Sequence, residues 1–137
     1  MIRVANKNDI SNINVIGQEL YDNFDKIYDI SAYLENDKYL IYVYDSDGIK
    51  AFLIAYENID DCELLCIVVT NKYRGLRIGS KLLNYLIINT NKNIILEVSQ
   101  NNEIAKKLYK DFNFRDMAIR KKYYQDGSDA IIMKLVR

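Results

Sequence analysis

Apolar residues recur along the chain at two different spacings, and each spacing predicts a different element. Near the N-terminus they recur every three or four residues, at Ile10, Ile13, Ile16 and Leu20. This interval predicts one helix over residues 8–28, which begins at Asp9 or Ser11. Residues 1–6 before it are predicted as a short strand, and residues 30–36 after it as a helical turn.

After residue 38, β-branched and aromatic residues dominate the apolar segments, and they predict strands. The predicted strands cover residues 39–45, 50–57, 63–70, 93–99, 114–123 and 129–136. Two helices are predicted between them, over residues 78–88 and 102–112. Because helices and strands mix along the chain, we expect an α/β fold in which helices pack against one mixed sheet. A single domain over residues 1–137 suits this length.

The composition excludes several classes of function. The chain has no histidine, which excludes a Ser-His-Asp triad and an imidazole base, so a general base must be a carboxylate, tyrosine, lysine, thiol or water. Cys62 and Cys66 lie four residues apart. On a strand they would share one face as small buried side chains, and we expect no metal site. No signal segment or membrane-spanning apolar run is present, which predicts a cytoplasmic protein.

Charge is distributed unevenly although the chain is neutral overall. Residues 1–64 carry 5 basic and 13 acidic side chains, a balance of −8, and residues 65–137 carry 14 and 6, a balance of +8. One interpretation is an ordinary solvated surface. The other is that the basic half faces a polyanion and the acidic half a cationic substrate.

The stretch YRGLRIGSKLL, residues 73–83, joins a predicted strand to a predicted helix. A P-loop would end in Gly-Lys-Ser or Gly-Lys-Thr, whereas this chain has Gly79, Ser80 and Lys81 in that order. A dinucleotide fingerprint would carry G-x-G-x-x-G after the first strand, whereas Gly75 and Gly79 are four apart after the fourth. What remains is a helix N-terminus whose unpaired N–H groups and dipole favour an anion.

The segment RGLRIG, residues 74–79, resembles the R/Q-x-x-G-x-G/A loop of the acetyl-CoA-dependent N-acetyltransferases of the GNAT superfamily. Residues 96–114 resemble the second half of the same superfamily, and the tail 118–135 resembles the bacterial ribosomal-protein-alanine N-acetyltransferase (RimI) family. The resemblance implies a GNAT fold, with a mixed, mostly antiparallel sheet of six to seven strands and about four flanking helices. It also implies direct attack on acetyl-CoA by the N-terminal alanine amine of a small-subunit ribosomal protein, in a ternary complex.

The resemblance further implies which residues act. Glu97, in the strand segment Leu-Glu-Val, is the expected base, and Tyr109 the expected acid for the departing thiolate. The residues expected to bind acetyl-CoA are Ile67, Val68, Val69, Arg74, Gly75, Leu76, Arg77, Ile78, Gly79, Ser80, Asn102 and Tyr109. Plainer interpretations stand beside these: Glu97 lies on a polar face or pairs with a lysine, Tyr109 packs in the core, and Asn102 caps a helix.

The chain departs from the family pattern at Arg77, where the loop usually carries glycine, and at Ser99, where some members carry arginine. The family's Phe-Pro-Trp-Ser segment is missing. Other acceptors therefore stay open, either another peptide or a small amine, and so does a non-catalytic acyl-CoA-binding module. A basic RNA-binding face around residues 120–124 is a third alternative. The favoured partners are acetyl-CoA and a basic protein N-terminus, with no membrane and no direct nucleic acid.

Overall fold

The structure is a computed structural model that describes all 137 residues. Its strands are β1 (Ile2–Val4), β2 (Tyr39–Asp45), β3 (Ile49–Glu57), β4 (Asp61–Val69), β5 (Asn93–Ser99), β6 (Arg115–Arg120) and β7 (Ala130–Leu135). Its helices are α1 (Ile10–Gly17), α2 (Phe24–Ile27), α3 (Ile30–Leu34), α4 (Ile78–Asn89) and α5 (Glu103–Asp111). None of these helices is long and apolar enough to span a membrane.

The seven strands form one sheet in the order β1-β2-β3-β4-β5-β7-β6. Every neighbouring pair is antiparallel except β4 and β5, which are parallel and are connected through α4. The prediction of an α/β fold with a mostly antiparallel sheet of six to seven strands is therefore confirmed. Five helices flank the sheet, where about four were expected.

Helices pack on both faces of the sheet, and each face has its own apolar core. One core contains four buried residues of α4, namely Ile78, Leu82, Leu83 and Leu86, and α5 adds partly buried side chains to it. The core on the opposite face contains Ile13 and Ile16 of α1, Phe24 of α2 and Ile30 of α3. Each such side chain stabilises the fold by about 1.5–3 kcal/mol through burial, so the two cores fix the helices on the sheet.

Strand β4 carries one residue more than its partner β3. Leu64 pairs with Ala55 of β3, and Cys66 pairs with Ile54, the preceding residue of the same strand. Leu65 between them has no partner, which makes it a β-bulge that bends β4. Side chains of a strand normally alternate between the two faces of the sheet. Because of the extra residue, the residues of β4 after Leu65 lie on the opposite face from the one that unbroken alternation would give them.

This reversal corrects one prediction from the sequence. Cys62 and Cys66 were expected to share one face of the strand. In the structure Cys62 belongs to the core beneath α4, whereas Cys66 belongs to the core beneath α1. Both thiols are free and buried, but the extra residue Leu65 puts them on opposite faces of the sheet.

The parallel strands at the centre of the sheet separate into a fork. Asp61–Glu63 of β4 pair with Asn93–Ile95 of β5, and no residue further along either strand is paired across this gap. Strand β4 nevertheless continues to Val69, and β5 continues to Ser99. The last part of β4 therefore presents backbone N–H and C=O groups that no strand satisfies on this side.

The predicted single helix over residues 8–28 is wrong, because α1 ends at Gly17 and the chain turns before α2 begins. The N–H groups of Leu20 and Tyr21 both donate to the Gly17 carbonyl, at 2.9 and 3.1 Å. Phe24 then folds back onto Gly17, where a Cβ atom would lie 2.4 Å from the ring. Leu20, expected on the buried face, lies in this turn and is 43% exposed.

Asp9 precedes α1 as expected, but its carboxylate anchors the first strand. Two nitrogens of the Arg3 guanidinium donate to the two Asp9 oxygens at 2.8 and 3.0 Å, and the Asn6 N–H donates at 2.8 Å. Arg3 also donates to Asp45 of β2 at 2.9 Å. The Asp9 carboxylate is buried, so this network ties the N-terminus to the sheet.

We expect Asp9→Asn to lower the free energy of unfolding by about 2 kcal/mol at pH 7, since a hydrogen bond to a buried charge contributes roughly 1.5–3 kcal/mol. Hydrogen bonding from Arg3 holds the pKa of Asp9 below its ordinary value. The wild-type advantage is therefore present above about pH 4 and is lost as the pH falls through that lower, folded pKa.

Urea unfolding at a series of pH values from 7 downward measures both effects. Asp37→Asn is the matched control, because Asp37 is exposed in a turn and takes part in no ion pair. An equal loss in the control, or an Asp9→Asn deficit that persists at low pH, contradicts the account.

Candidate active site

A groove of about 790 Å³ lies beside the fork, between the end of β4, the loop before α4 and helix α5. It is lined by eleven of the residues expected to bind acetyl-CoA: Ile67, Val68, Val69, Arg74, Gly75, Arg77, Ile78, Gly79, Ser80, Asn102 and Tyr109. Leu76 is the one expected contact outside the groove, and it is 58% exposed. Glu19 and Lys107, which were not expected, line the groove as well.

The loop before α4 leaves the start of that helix open. Arg77 is the residue before the helix, and its backbone is left-handed with φ 63° and ψ 23°. No side chain caps the helix, and the first intrahelical bond runs from the Lys81 N–H to the Arg77 carbonyl, at 3.1 Å. The N–H groups of Ile78, Gly79 and Ser80 therefore have no acceptor within the helix, which suits an anion at this end of the groove.

Gly79 lines the groove at a position where the surrounding protein leaves room for a larger side chain. A Cβ atom there would meet only Leu108 and Val69, both at 3.9 Å, which is ordinary van der Waals distance. The absence of a side chain keeps the helix backbone accessible from the groove. Crowding by neighbouring residues does not explain why this position is a glycine.

Glu19 organises the loop that follows β4. Its carboxylate accepts from the Thr70 hydroxyl at 2.6 Å and from the Asn71 N–H at 2.9 Å. It also lies 3.7 Å from the Arg74 guanidinium, whose Nε donates to the Val69 carbonyl at 2.9 Å. The sequence showed no sign of this role, because Glu19 lies about fifty residues away in a segment that was predicted as continuous helix.

Tyr109 lies on α5 and packs against Phe114, with ring centroids 5.7 Å apart. Burial raises the pKa of Tyr109 to about 12, so the hydroxyl keeps its proton at neutral pH. The residue lines the groove, and none of the side-chain hydrogen bonds within the protein involves its hydroxyl. The phenol is thus an available proton donor beside the fork.

Asn102 caps a helix, as one interpretation of the sequence expected, and it also lines the groove. Its Oδ1 accepts from the Ala105 N–H at 3.1 Å, so it caps α5. The same residue lines the groove opposite the α4 loop. The capping bond fixes the side chain on the groove wall.

Glu97 lies on β5 beyond the last residue that pairs with β4, on the face opposite the groove. Its side chain is 31% exposed, and its carboxylate lies 3.5 Å from the Arg120 guanidinium of β6. The expectation of a polar face is met, although the partner is an arginine instead of a lysine. Glu97 and Tyr109 therefore border the fork from opposite faces of the sheet.

Tyrosines lie on the Glu97 side of the fork. Burial raises the pKa of Tyr124 above its ordinary value, and the nearby Glu97 and Tyr21 charges add to this shift. Burial likewise raises the pKa of Tyr28, with smaller contributions from Cys66 and Tyr21. Tyr21 and Tyr28 come from the α1–α3 segment and Tyr124 from the loop between β6 and β7, so two distant parts of the chain lie close to each other on this face.

Comparison with known proteins places the chain among acetyltransferases. A model of the acetyltransferase (GNAT) domain matches residues 36–116. The ribosomal protein bS18-alanine N-acetyltransferase of Haemophilus ducreyi is 38% identical over an alignment of 107 residues, and the match covers 72% of this chain and 74% of that protein. An uncharacterized N-acetyltransferase of Methanocaldococcus jannaschii is 35% identical over 98 residues, 67% of this chain but only 63%, less than two thirds, of that protein.

A solved structure agrees with these matches. The crystal structure of the ribosomal-protein-S18-alanine N-acetyltransferase from Escherichia coli superposes with a TM-score of 0.86 and 27% identity, over 98% of this chain and 92% of that one. Fold, groove and matches together define an acetyltransferase. The chain belongs to the GNAT family of N-acetyltransferases.

GNAT acetyltransferases use acetyl-CoA, and the groove fits this co-substrate. The open start of α4 suits a pyrophosphate, and the unpaired end of β4 suits the amide groups of a pantetheine arm. Arg74 and Arg77 add positive charge at the same end of the groove.

Arg77 has a conformational cost that leads to a stability prediction. The left-handed backbone costs an L-residue roughly 1–2 kcal/mol, and glycine avoids most of it but gains entropy in the unfolded chain. We expect Arg77→Gly to raise the free energy of unfolding by about 1 kcal/mol, with Tm higher by a few degrees. Leu76→Gly is the control, because Leu76 has no positive φ and should lose stability. Equal melting temperatures for Arg77→Gly and wild type would refute the assignment of strain.

Proposed function

We propose that this protein is an N-alpha-acetyltransferase that transfers the acetyl group of acetyl-CoA to the N-terminal alanine of a ribosomal protein. The observation that carries the proposal is the fork between β4 and β5, with Tyr109 on one face and Glu97 on the other. An acyl donor in the groove and an amine from the opposite face would meet there. The relatives named as ribosomal-protein-alanine N-acetyltransferases support this choice of acceptor.

On the donor side, the proposed contacts divide the groove into two parts. The N–H groups at the start of α4, with Arg74 and Arg77, hold the pyrophosphate, and Asn102 bounds the opposite wall. The unpaired backbone of Ile67 and its neighbours on β4 holds the pantetheine arm. An N–H group of this segment then stabilises the oxyanion that develops on the thioester carbonyl.

On the acceptor side, Glu97 receives the proton of the incoming amine, either directly or through a water molecule. An α-amino group has a pKa of about 7.7–8.0, so a modest base is sufficient. Tyr124 lies close to the exposed Glu97 carboxylate, and Tyr21 lies close to Tyr124 and to Tyr28. An extended N-terminus would approach Glu97 along this face of the sheet.

Direct transfer agrees with the state of the two thiols. Burial raises the pKa of Cys66 to about 12, and that of Cys62 likewise to about 12. At neutral pH both are protonated, and neither lines the groove. A covalent acyl-enzyme on cysteine is therefore disfavoured, and the amine attacks the thioester itself. The bond to the amine nitrogen forms first, so that the carbonyl oxygen carries the negative charge, the bond to sulfur then breaks as the carbonyl re-forms, and Tyr109 protonates the leaving thiolate.

An assay on peptides tests the acceptor. The protein with acetyl-CoA should acetylate a peptide with free N-terminal alanine followed by basic residues, and should release one CoA thiol per acetyl group. The same peptide with a blocked N-terminus is the control for lysine acetylation. Turnover on a polyamine or on free lysine, without turnover on the peptide, rejects the acceptor. CoA binding by calorimetry without thiol release for any amine indicates an acyl-CoA-binding module.

We expect Tyr109→Phe to lower kcat about a hundredfold, because general acids typically contribute at least this much. CoA affinity should change little, because the ring that packs against Phe114 is kept. Tyr85→Phe, at a tyrosine that packs against Tyr42 away from the groove, is the matched control. A full-rate Tyr109→Phe enzyme removes this residue from the mechanism.

We expect Glu97→Gln to lower kcat by a comparable factor near pH 7 and to lose less at alkaline pH, where the amine is already neutral. The pH profile separates loss of a base from loss of structure, since a folding defect would persist at high pH. Glu103→Gln is the control, because Glu103 pairs with Lys106 on the exposed side of α5. Full activity of Glu97→Gln at pH 7 excludes Glu97 as the base.

A further inference from the structure

A row of side chains crosses the sheet on the same face as Glu97. Cross-strand pairing aligns four residues: Tyr39 with Tyr56, Tyr56 with Glu63, and Glu63 with Ile95. Glu97 follows Ile95 by two positions and so shares its face. The row therefore runs from β2 to β5 and ends next to the proposed base.

Three aromatic rings form one end of this row. Tyr33 of α3 stacks on Tyr39, with centroids 3.8 Å apart and planes 5° apart. Tyr39 meets Tyr56 edge to face at 4.8 Å. All three side chains are only partly buried, so ring surface stays accessible beside β4. Electron-rich ring faces of this kind attract cations.

Glu63 stands next to these rings as a free carboxylate. It is exposed although it lies on a central strand, and it takes part in none of the nine ion pairs of the protein. The nearest cation in the same row, Lys134, pairs instead with Asp61 at 3.8 Å. Glu63 is thus the uncompensated charge on this part of the sheet face.

The spacing between Glu63 and Glu97 matches a short peptide. Adjacent strands lie about 4.8 Å apart and two residues of a strand span about 6.6 Å, so the two positions are roughly 8 Å apart. An extended residue spans at most about 3.6 Å. When the α-amine of an acceptor lies at Glu97, the side chain of its second or third residue can therefore reach Glu63.

We propose that Glu63 and the tyrosine row, Tyr33, Tyr39 and Tyr56, select acceptors with a lysine or arginine at the second or third position. The carboxylate pairs with the cationic head group, and the rings contact it and its aliphatic stem. This inference rests on the proposed function, because it assigns a substrate preference to the same acceptor site. Complementary charge specifies the occupant, since an acidic or uncharged side chain gains nothing from Glu63.

The test compares alanine-initiated peptides that carry lysine, norleucine or glutamate at position two, and separately at position three. At low salt the wild type should prefer lysine over norleucine by about fivefold in kcat/KM at one of these positions, the size expected of an exposed charge pair. Glu63→Gln should abolish that ratio, and Glu63→Lys should shift the preference to glutamate. Glu35→Gln, at an exposed glutamate of the same acidic half, should keep the wild-type ratio.

The possible outcomes distinguish a failure of this inference from a failure of the proposed acetyltransferase function. If the enzyme acetylates all the peptides at equal rates, or if Glu63→Gln retains the preference, the pocket is wrong and the acetyltransferase assignment stands. If Glu63→Gln and Glu35→Gln reduce the ratio equally, the general negative field of the N-terminal half is responsible, and the pocket is again wrong. If no peptide is acetylated while CoA still binds, the acceptor assignment and the pocket fail together.

Discussion

The separation of β4 from β5 is the constraint on which the site depends. It follows from one extra residue, Leu65, which bends β4 and ends its pairing with β5 after Glu63. Without the bulge, the central strands would continue to pair, and their backbone groups would satisfy each other. With it, one strand end is free to bind a ligand, and a gap joins the two faces of the sheet. A local irregularity of one residue thus creates both the groove and the gap at which the proposed acetyl donor and acceptor would meet.

The loop after β4 shows how the protein keeps the start of α4 open. Glu19 receives hydrogen bonds from Thr70 and Asn71 and so fixes the chain just before the glycines. Arg77 then adopts a left-handed backbone and leaves the start of α4 uncapped. A capping serine or aspartate would be more stable locally but would occupy the N–H groups that an anion needs. Strain at this position is consistent with a site that binds phosphate.

Periodic patterns and short motifs were sufficient to predict the sheet, most strand positions and α4 and α5. They failed where contacts between residues of different elements determine the local structure. The helix predicted over residues 8–28 is interrupted because Phe24 must pack on Gly17, a contact with no periodic signature. The two cysteines separate onto opposite faces because nothing in the apolar run of β4 marks Leu65 as the bulge. Of the residues that line the groove, most of those in the strand and loop were predicted from the sequence, whereas Glu19 lies in a turn that was predicted as helix.

The proposed acetyl transfer depends on positioning more than on an activated base or nucleophile. The chain has no histidine, and burial keeps both thiols protonated. An α-amine with a pKa near 8 lies only about one unit from neutral pH, so its deprotonation costs about 1.4 kcal/mol, a small part of a typical barrier. The larger contribution must come from holding the amine against the thioester at the fork. In the proposed reaction the gap between β4 and β5 supplies that proximity, and for this reason an exposed carboxylate and a protonated phenol are sufficient.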